Sequence, residues 1–194
     1  MLNFVSDVVT QYSINSNCVR VAVIRYSNSG DVQFQLSRYS DVNSLRQAIG
    51  AIQLLGGASN LAVALDLLRN QVFASNVVRQ NTERIAIIVT DQLQRSAQID
   101  NAANSVKSRG ITIVAVGITV ITGRVDVSYL NSITSRSNCA IQVNDYSQLT
   151  NVATINRIVQ QQQQCGCLVY MTPPPTTTTP RPPSPGMFTV IYVT

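Results

Sequence analysis

Histidine is absent from the 194-residue chain. That excludes a Ser-His-Asp or Cys-His catalytic arrangement and any His-ligated zinc site. Charge is scarce as well. Asp, Glu, Lys and Arg make up 12% of the residues, about half the roughly 25% usual in globular domains. Lysine occurs once, at Lys107, so the net charge of +5 rests on scattered arginines. They form no dense basic patch, which argues against nucleic acid as a partner. No apolar run reaches the roughly 18 residues that a membrane-spanning helix needs. Neither GxGxxG nor GxxxxGK[ST] occurs, so Gly56-Gly57 reads as a turn device rather than a phosphate cradle. The opening MLNFVSDVV lacks a basic start and carries Asp7 early, so it does not read as a secretory leader.

What remains is 45% hydrophobic, enough to bury a real core, within a neutral surface of Asn, Gln, Ser and Thr. The four cysteines are Cys18, Cys139, Cys165 and Cys167. An even count is compatible with two disulfides and an oxidising compartment, the alternative being four reduced thiols. Three pairings are open. Cys165 and Cys167, one residue apart, are poor partners for each other and poor zinc ligands. Disulfides without a leader suggest that the protein's true beginning lies upstream of Met1. Residues 172–185 read TPPPTTTTPRPPSP, an extended polyproline II spacer with hydroxyls suited to O-glycosylation, as in extracellular stalks. The expected organisation is a folded domain over 1–167, a Pro/Thr-rich linker over 168–186 and an apolar stub over 187–194. The stub, MFTVIYVT, alternates like a strand and could open a further domain.

Within the domain, apolar strands alternate with amphipathic helices. VRVAVIRYS (19–27) is apolar on both faces, as a fully buried strand is. Asn28-Ser29-Gly30 signals a tight turn, and DVQFQLS (31–37) alternates as a half-exposed edge strand does, which makes a hairpin. Residues 40–53 place Val42, Leu45, Ile49 and Ile52 on one helical face behind Ser40 or Asp41 as cap. Leu61, Leu65, Leu68 and Val72 mark a second helix. RIAIIVT (84–90) and ITIVAVG (111–117) are further buried strands, with a helix over 96–108 between them and Gly110 as its stop. A helix near 126–135, a short strand AIQV (140–143) and a last helix through Leu149, Val152, Ile155 and Ile158 complete the pattern. Phe4, Val5, Val8, Val9 and Tyr12 form the apolar side of an opening helix with no strand before it. The pattern predicts an α/β fold, doubly wound on a mostly parallel sheet, with one antiparallel edge hairpin.

In such a sheet ligands bind beyond the carboxyl ends of the strands. Two oxygen-bearing residues fall there: Asp91, directly after strand 84–90, and Ser59, in the loop Gly56-Gly57-Ala58-Ser59-Asn60. A carboxylate and a hydroxyl at a strand end make part of a hard-cation site, though Mg²⁺ takes about six oxygens. Each also has a plainer reading, Ser59 as a helix N-cap and Asp91 as a cap of a loop or helix start.

The helix FVSDVV, the hairpin VRVAVIRYS…VQFQL, the GG-x-[ST] loop before SNLAVAL, VTD after an apolar strand, SRGITIVAVGI, and YLNSI…NDYSQL together resemble the von Willebrand factor type A domain over about residues 1–164. The resemblance is to its extracellular-matrix members: collagen VI-like chains, matrilins, and mollusc shell or byssal matrix proteins. It implies a metal-ion-dependent adhesion site built from Asp-x-Ser-x-Ser after the first strand, a Thr in the GG-x-T loop and the Asp of VTDG. A carboxylate on the partner completes the ion's shell. Only two of these roles carry over, to Ser59 and Asp91. Gln92 stands where the family has Gly, and the first strand with its motif would lie upstream of Met1. The resemblance therefore implies a sheet whose first central strand is missing, and a chain that aggregates or stays partly unfolded because strands 19–27 and 84–90 face an open gap, which the stub 187–194 could in principle fill, a reading given little weight.

The function expected is a secreted, extracellular adhesion module, not an enzyme. It would bind collagen or another matrix protein, in the intact parent through Mg²⁺ or Mn²⁺ at a site incomplete in this chain, with sister domains of the same type beside it. The alternative is a metal-independent structural spacer of a multidomain matrix protein.

Overall fold

The computed structural model describes residues 1–15, 19–54, 56–74, 82–119, 124–137 and 139–150, with the backbone of 187–193. In chain order the elements are α1 (Leu2–Val9), β1 (Arg20–Tyr26), β2 (Gly30–Phe34), α2 (Val42–Gly50), α3 (Leu61–Leu67), β3 (Glu83–Thr90), α4 (Ala97–Ser108), β4 (Ile111–Ile118), α5 (Val127–Ile133), β5 (Ala140–Val143) and β6 (Met187–Val193). A wider π-type turn, Leu68–Val72, extends α3, and a 3₁₀ turn, Tyr146–Thr150, follows β5.

The strands form one six-stranded sheet in the order β2-β1-β6-β3-β4-β5. β2 runs antiparallel to β1, pairing Tyr26 with Gly30 and Ile24 with Val32, and all other neighbours are parallel. The unbroken apolar runs have a simple cause: both sheet faces are covered. Successive residues of a strand point to opposite faces. Val21, Val23, Ile85, Ile87, Val89, Val114 and Val116 pack with Phe4, Val8, Leu45 and Ile49 of α1 and α2. The alternate residues Ala22, Ile24, Ala86, Ile88, Ile113 and Ala115 pack with Leu61, Leu65, Ile99, Val106 and Leu130 of α3, α4 and α5.

Local signals start and stop these helices. Asp41 accepts a hydrogen bond from the Ser44 amide at 2.9 Å, Ser96 from Gln98 at 3.3 Å and Asp126 from Tyr129 at 2.9 Å. Such caps contribute about 1 kcal/mol each. Gly110, at φ +72°, takes the left-handed conformation that ends α4. Gly117 on β4 serves close packing instead: a Cβ there would lie 2.8 Å from Leu130 Cδ2 and 3.0 Å from Val125 Cγ1.

Some expectations shift. The edge strand ends at Phe34 rather than residue 37, yet Leu36 is still buried. α1 ends at Val9, and Tyr12 is buried from the turn beyond it. Of the last helix only Tyr146–Thr150 is described; Val152, Ile155 and Ile158 lie outside the described residues, as do the Gln run, the linker and Cys18, Cys165 and Cys167. Cys139 is buried and disulfide-bonded.

The expected gap is where the structure corrects the sequence reading. The first central strand is not missing from the sheet, because β6 occupies its place. β6 lies parallel between β1 and β3, with Ala22 opposite Val190 on one side and Ala86 opposite Val190 on the other. The apolar stub is thus a strand of the sheet, and the reason given for expecting aggregation, two open edges, is removed. The reading undervalued it because a strand's place in a sheet depends on register and not on distance along the chain.

Deleting residues 187–194 should therefore abolish the cooperative thermal transition followed by circular dichroism, since it bares two inner strand edges at once. Gly117→Val should leave a cooperative transition but cost about 1–3 kcal/mol by overpacking, read as a lowered Tm.

Candidate functional site

The carboxyl ends of β1 and β3 open onto a cavity of about 370 Å³. Its wall holds Tyr26 and Ser27 from the end of β1, Gly56 to Ser59 from the following loop, Asp91 and Gln92 beyond β3, and Tyr146. The structure thus brings both sequence-predicted residues, Ser59 and Asp91, to one rim. β6 runs toward the same rim, its Val193 paired with Val89, two residues short of Asp91.

The GG loop reaches this place because its backbone is tied down. Gly57 has φ +118°, a conformation side chains disfavour, and a Cβ there would lie 3.2 Å from the Asn28 side-chain nitrogen Nδ2. The Asn60 amide donates to the Ser27 carbonyl at 2.9 Å, joining the loop to the end of β1. Ser59 is not the helix cap: α3 is preceded by Asn60, with no side-chain cap bond. Freed from that task, Ser59 Oγ lies 3.4 Å from Thr90 Oγ1. The plainer reading of Ser59 is corrected accordingly.

Thr90 holds the loop after β3. Its hydroxyl donates to the Gln92 carbonyl at 2.8 Å and accepts from the Gln92 amide at 3.2 Å. Leu93 then pairs with Val125, its amide donating to the Arg124 carbonyl at 2.6 Å. Asp91 is left half-buried at the mouth, where its Oδ2 accepts a hydrogen bond from the Tyr146 hydroxyl at 2.5 Å.

Two tyrosines that the sequence reading did not single out complete the cluster. Tyr26 is fully buried. Burial pushes its hydroxyl up to about 12, against the opposing pull of the nearby Thr90 and Ser59 hydroxyls, and the Asp91 charge adds to the rise. Tyr146 is also pushed up to about 12, by partial burial first and by the Asp91 carboxylate second, with Arg124 opposing. A signal was present for both. Tyr26 ends β1 as Asp91 follows β3, and Tyr146 lies within the NDYSQL segment that carried the resemblance.

The chemistry of this rim is that of oxygen donors: hydroxyls of Tyr26, Ser59 and Thr90 around a single carboxylate. Among the described residues no group of three His, Cys, Asp or Glu could hold a metal ion. One carboxylate, already engaged by a phenol, with a nearby serine falls short of what a divalent cation needs, since Mg²⁺ prefers about six oxygens. The described donor set therefore does not fit a held cation by itself. Nor does it present an activated nucleophile beside a general base.

A doubly wound sheet, a GG-x-Ser loop and an Asp at the carboxyl rim define the class, and sequence comparison agrees. The profile of the von Willebrand factor type A domain matches residues 1–155, and the chain belongs to that family. It is 29% identical to matrilin-3 of Gallus gallus over 136 residues, which is 68% of this chain and 29% of that protein. It is 26% identical to the collagen alpha-6(VI) chain of Homo sapiens over 161 residues, or 83% of this chain and 7% of that one. The chain thus spans less than a third of these relatives. Among solved structures, proximal thread matrix protein 1 from the mussel byssus superimposes with a TM-score of 0.73 at 20% identity, covering 85% of this chain and 40% of that one. A further structure of that mussel protein has its MIDAS motif, the metal-ion-dependent adhesion site, occupied by zinc.

The buried phenol makes the stability of the fold pH-dependent. Tyr26 titrates near 10 when unfolded and about 12 when folded, so its neutral form stabilises the fold fully below pH ~10 and that contribution is lost as pH rises toward ~12. Tyr26→Phe should flatten the fall of Tm across that window relative to the parent chain.

Proposed function

We propose that this chain is a non-catalytic interaction module of the extracellular matrix, binding collagen or another matrix protein through the rim formed by the ends of β1 and β3. The observation that carries this is the convergence of Ser59 and Asp91 on one open cavity at the carboxyl end of the sheet. Its matrix setting is supported by the likeness to matrilin-3 and to a collagen VI chain. A Thr/Pro tract of stalk-like composition and a chain without histidine fit an extracellular spacer-and-adhesion role better than an enzyme. The folded unit in this reading covers residues 1–167, with 168–186 as linker, and β6 counted as part of the sheet. Asp91 and Ser59 are the two oxygens the chain would contribute to a divalent-cation rim for Mg²⁺ or Mn²⁺ in a longer parent. The remaining ligands would come from beyond the described residues.

One observation favours the alternative of a metal-independent structural spacer: the Asp91 carboxylate is already satisfied by Tyr146. The two readings separate on immobilised collagen. The adhesion reading expects saturable binding that weakens about tenfold, or ~1.4 kcal/mol, in Asp91→Ala. Equal binding by Asp91→Ala and the parent chain, or no binding by either with Mg²⁺, Mn²⁺ or a chelator, would leave the spacer.

A further inference from the structure

Beside the rim, and sharing Ala58, Ser59 and Gln92 with it, lies a larger cavity of about 500 Å³. Two arginines, Arg95 and Arg124, line it, and none of the chain's 9 acidic side chains does. We propose that this cavity is a carboxylate subsite for the matrix partner, an assignment that rests on the adhesion reading above: Arg95 and Arg124 take a Glu or Asp side chain from an extended peptide segment of that partner.

Local structure brings the two guanidiniums to this place. The loop after β3 and the segment before α5 are joined at Leu93 and Val125, where the Leu93 amide donates to the Arg124 carbonyl at 2.6 Å and the Asp126 amide to the Leu93 carbonyl at 2.9 Å. That bridge sets Arg124 in the wall. Two residues past Leu93, Arg95 stacks over the Tyr129 ring, its Cζ 4.7 Å from the ring centroid, and the Tyr129 hydroxyl donates to the Ser96 carbonyl at 3.0 Å. The ring engages the face of the Arg95 guanidinium and leaves its N–H edge for a ligand, where the fork of donors matches a carboxylate. Both arginines are exposed, and among the described residues neither forms an ion pair. The carboxylates on the same segments are placed otherwise: Asp126 caps α5 at the Tyr129 amide, Asp100 belongs to α4, and Asp91 accepts from Tyr146. The cavity is therefore electropositive. The 12-residue helix α4 adds to this, since its N-cap Ser96 and its first-turn residues Gln98 and Ile99 stand in the wall at the positive end of the helix dipole. The rest of the polar wall is neutral amide, from Asn28, Asn60, Gln94 and Gln98. Such groups both donate and accept, as a peptide main chain requires of its partner. A polyanion calls for a row of cations, which this wall lacks, whereas an isolated acidic side chain on a peptide matches it.

The test titrates the full chain into a fluorescein-labelled Gly/Pro peptide carrying Glu, and into the same peptide with Gln in its place, both in EDTA and read by fluorescence anisotropy. The Glu peptide should bind saturably and release with added salt, and the Gln peptide should bind about tenfold more weakly or less. Arg95→Gln and Arg124→Gln should each weaken the Glu peptide about tenfold, and the double variant should abolish its binding. Arg38→Gln removes the same charge from an exposed position outside the cavity and should bind as the parent does. Circular dichroism checks that each variant is folded. No binding of the Glu peptide, equal affinity for the two peptides, binding that survives the double variant, or an equal loss in Arg38→Gln would overturn the proposal. So would heparin held through the same arginines in preference to the Glu peptide. Immobilised collagen separates this subsite from the rim. Collagen binding lost in Asp91→Ala but unchanged in the double arginine variant keeps the rim and overturns the subsite. Arginine-dependent binding of the Glu peptide without binding to collagen supports the subsite and removes collagen as the partner.

Discussion

Everything in this fold depends on the pairing of two inner strands, β1 and β3, with a third that lies between them. Both are apolar on both faces and carry backbone groups on both edges, so neither tolerates water on its inner side. β6 meets that requirement with residues that are last in the chain and central in space. The two packing layers follow from it. With the slot filled, Val21, Val23, Ile85 and Ile87 form one continuous surface for α1 and α2, and Ala22, Ile24, Ala86 and Ile88 another for α3 and α4.

Much of this was legible in the residues. The strands 84–90 and 111–117, the helix 96–108 and the short strand 140–143 stand within a residue or two of where their periodicity placed them. Each carries a strong local signal: a continuous apolar run, a Ser or Asp cap, or a glycine stop. The edge strand was read too long because Leu36 is buried from a turn, and alternation cannot tell a turn from a strand. β6 reads as a strand in the sequence, with little weight given to its filling the gap in the sheet. Pairing between segments distant in sequence leaves no local mark, and only register against both neighbours reveals it.

The candidate rim shows the same division. Asp91 and Ser59 stand out as candidates in the sequence because position at a strand end and chemical type coincide in them. Tyr26 and Tyr146 were not, since a tyrosine in an apolar strand or a surface turn reads first as packing. Their role emerges only in three dimensions, where one phenol is buried beneath the Ser59 and Thr90 hydroxyls and the other bonds Asp91 from outside. The rim is therefore a hydroxyl-rich bowl with one carboxylate at its lip, and its polarity comes from neutral oxygens more than from charge.

The placement of β6 also sets how the sheet would respond to a pulling force. Its amino end leads directly into the Pro/Thr tract. Tension applied along that tract pulls the strand lengthwise past β1 and β3, so both ladders resist together as a shear joint and their hydrogen bonds do not open one after another.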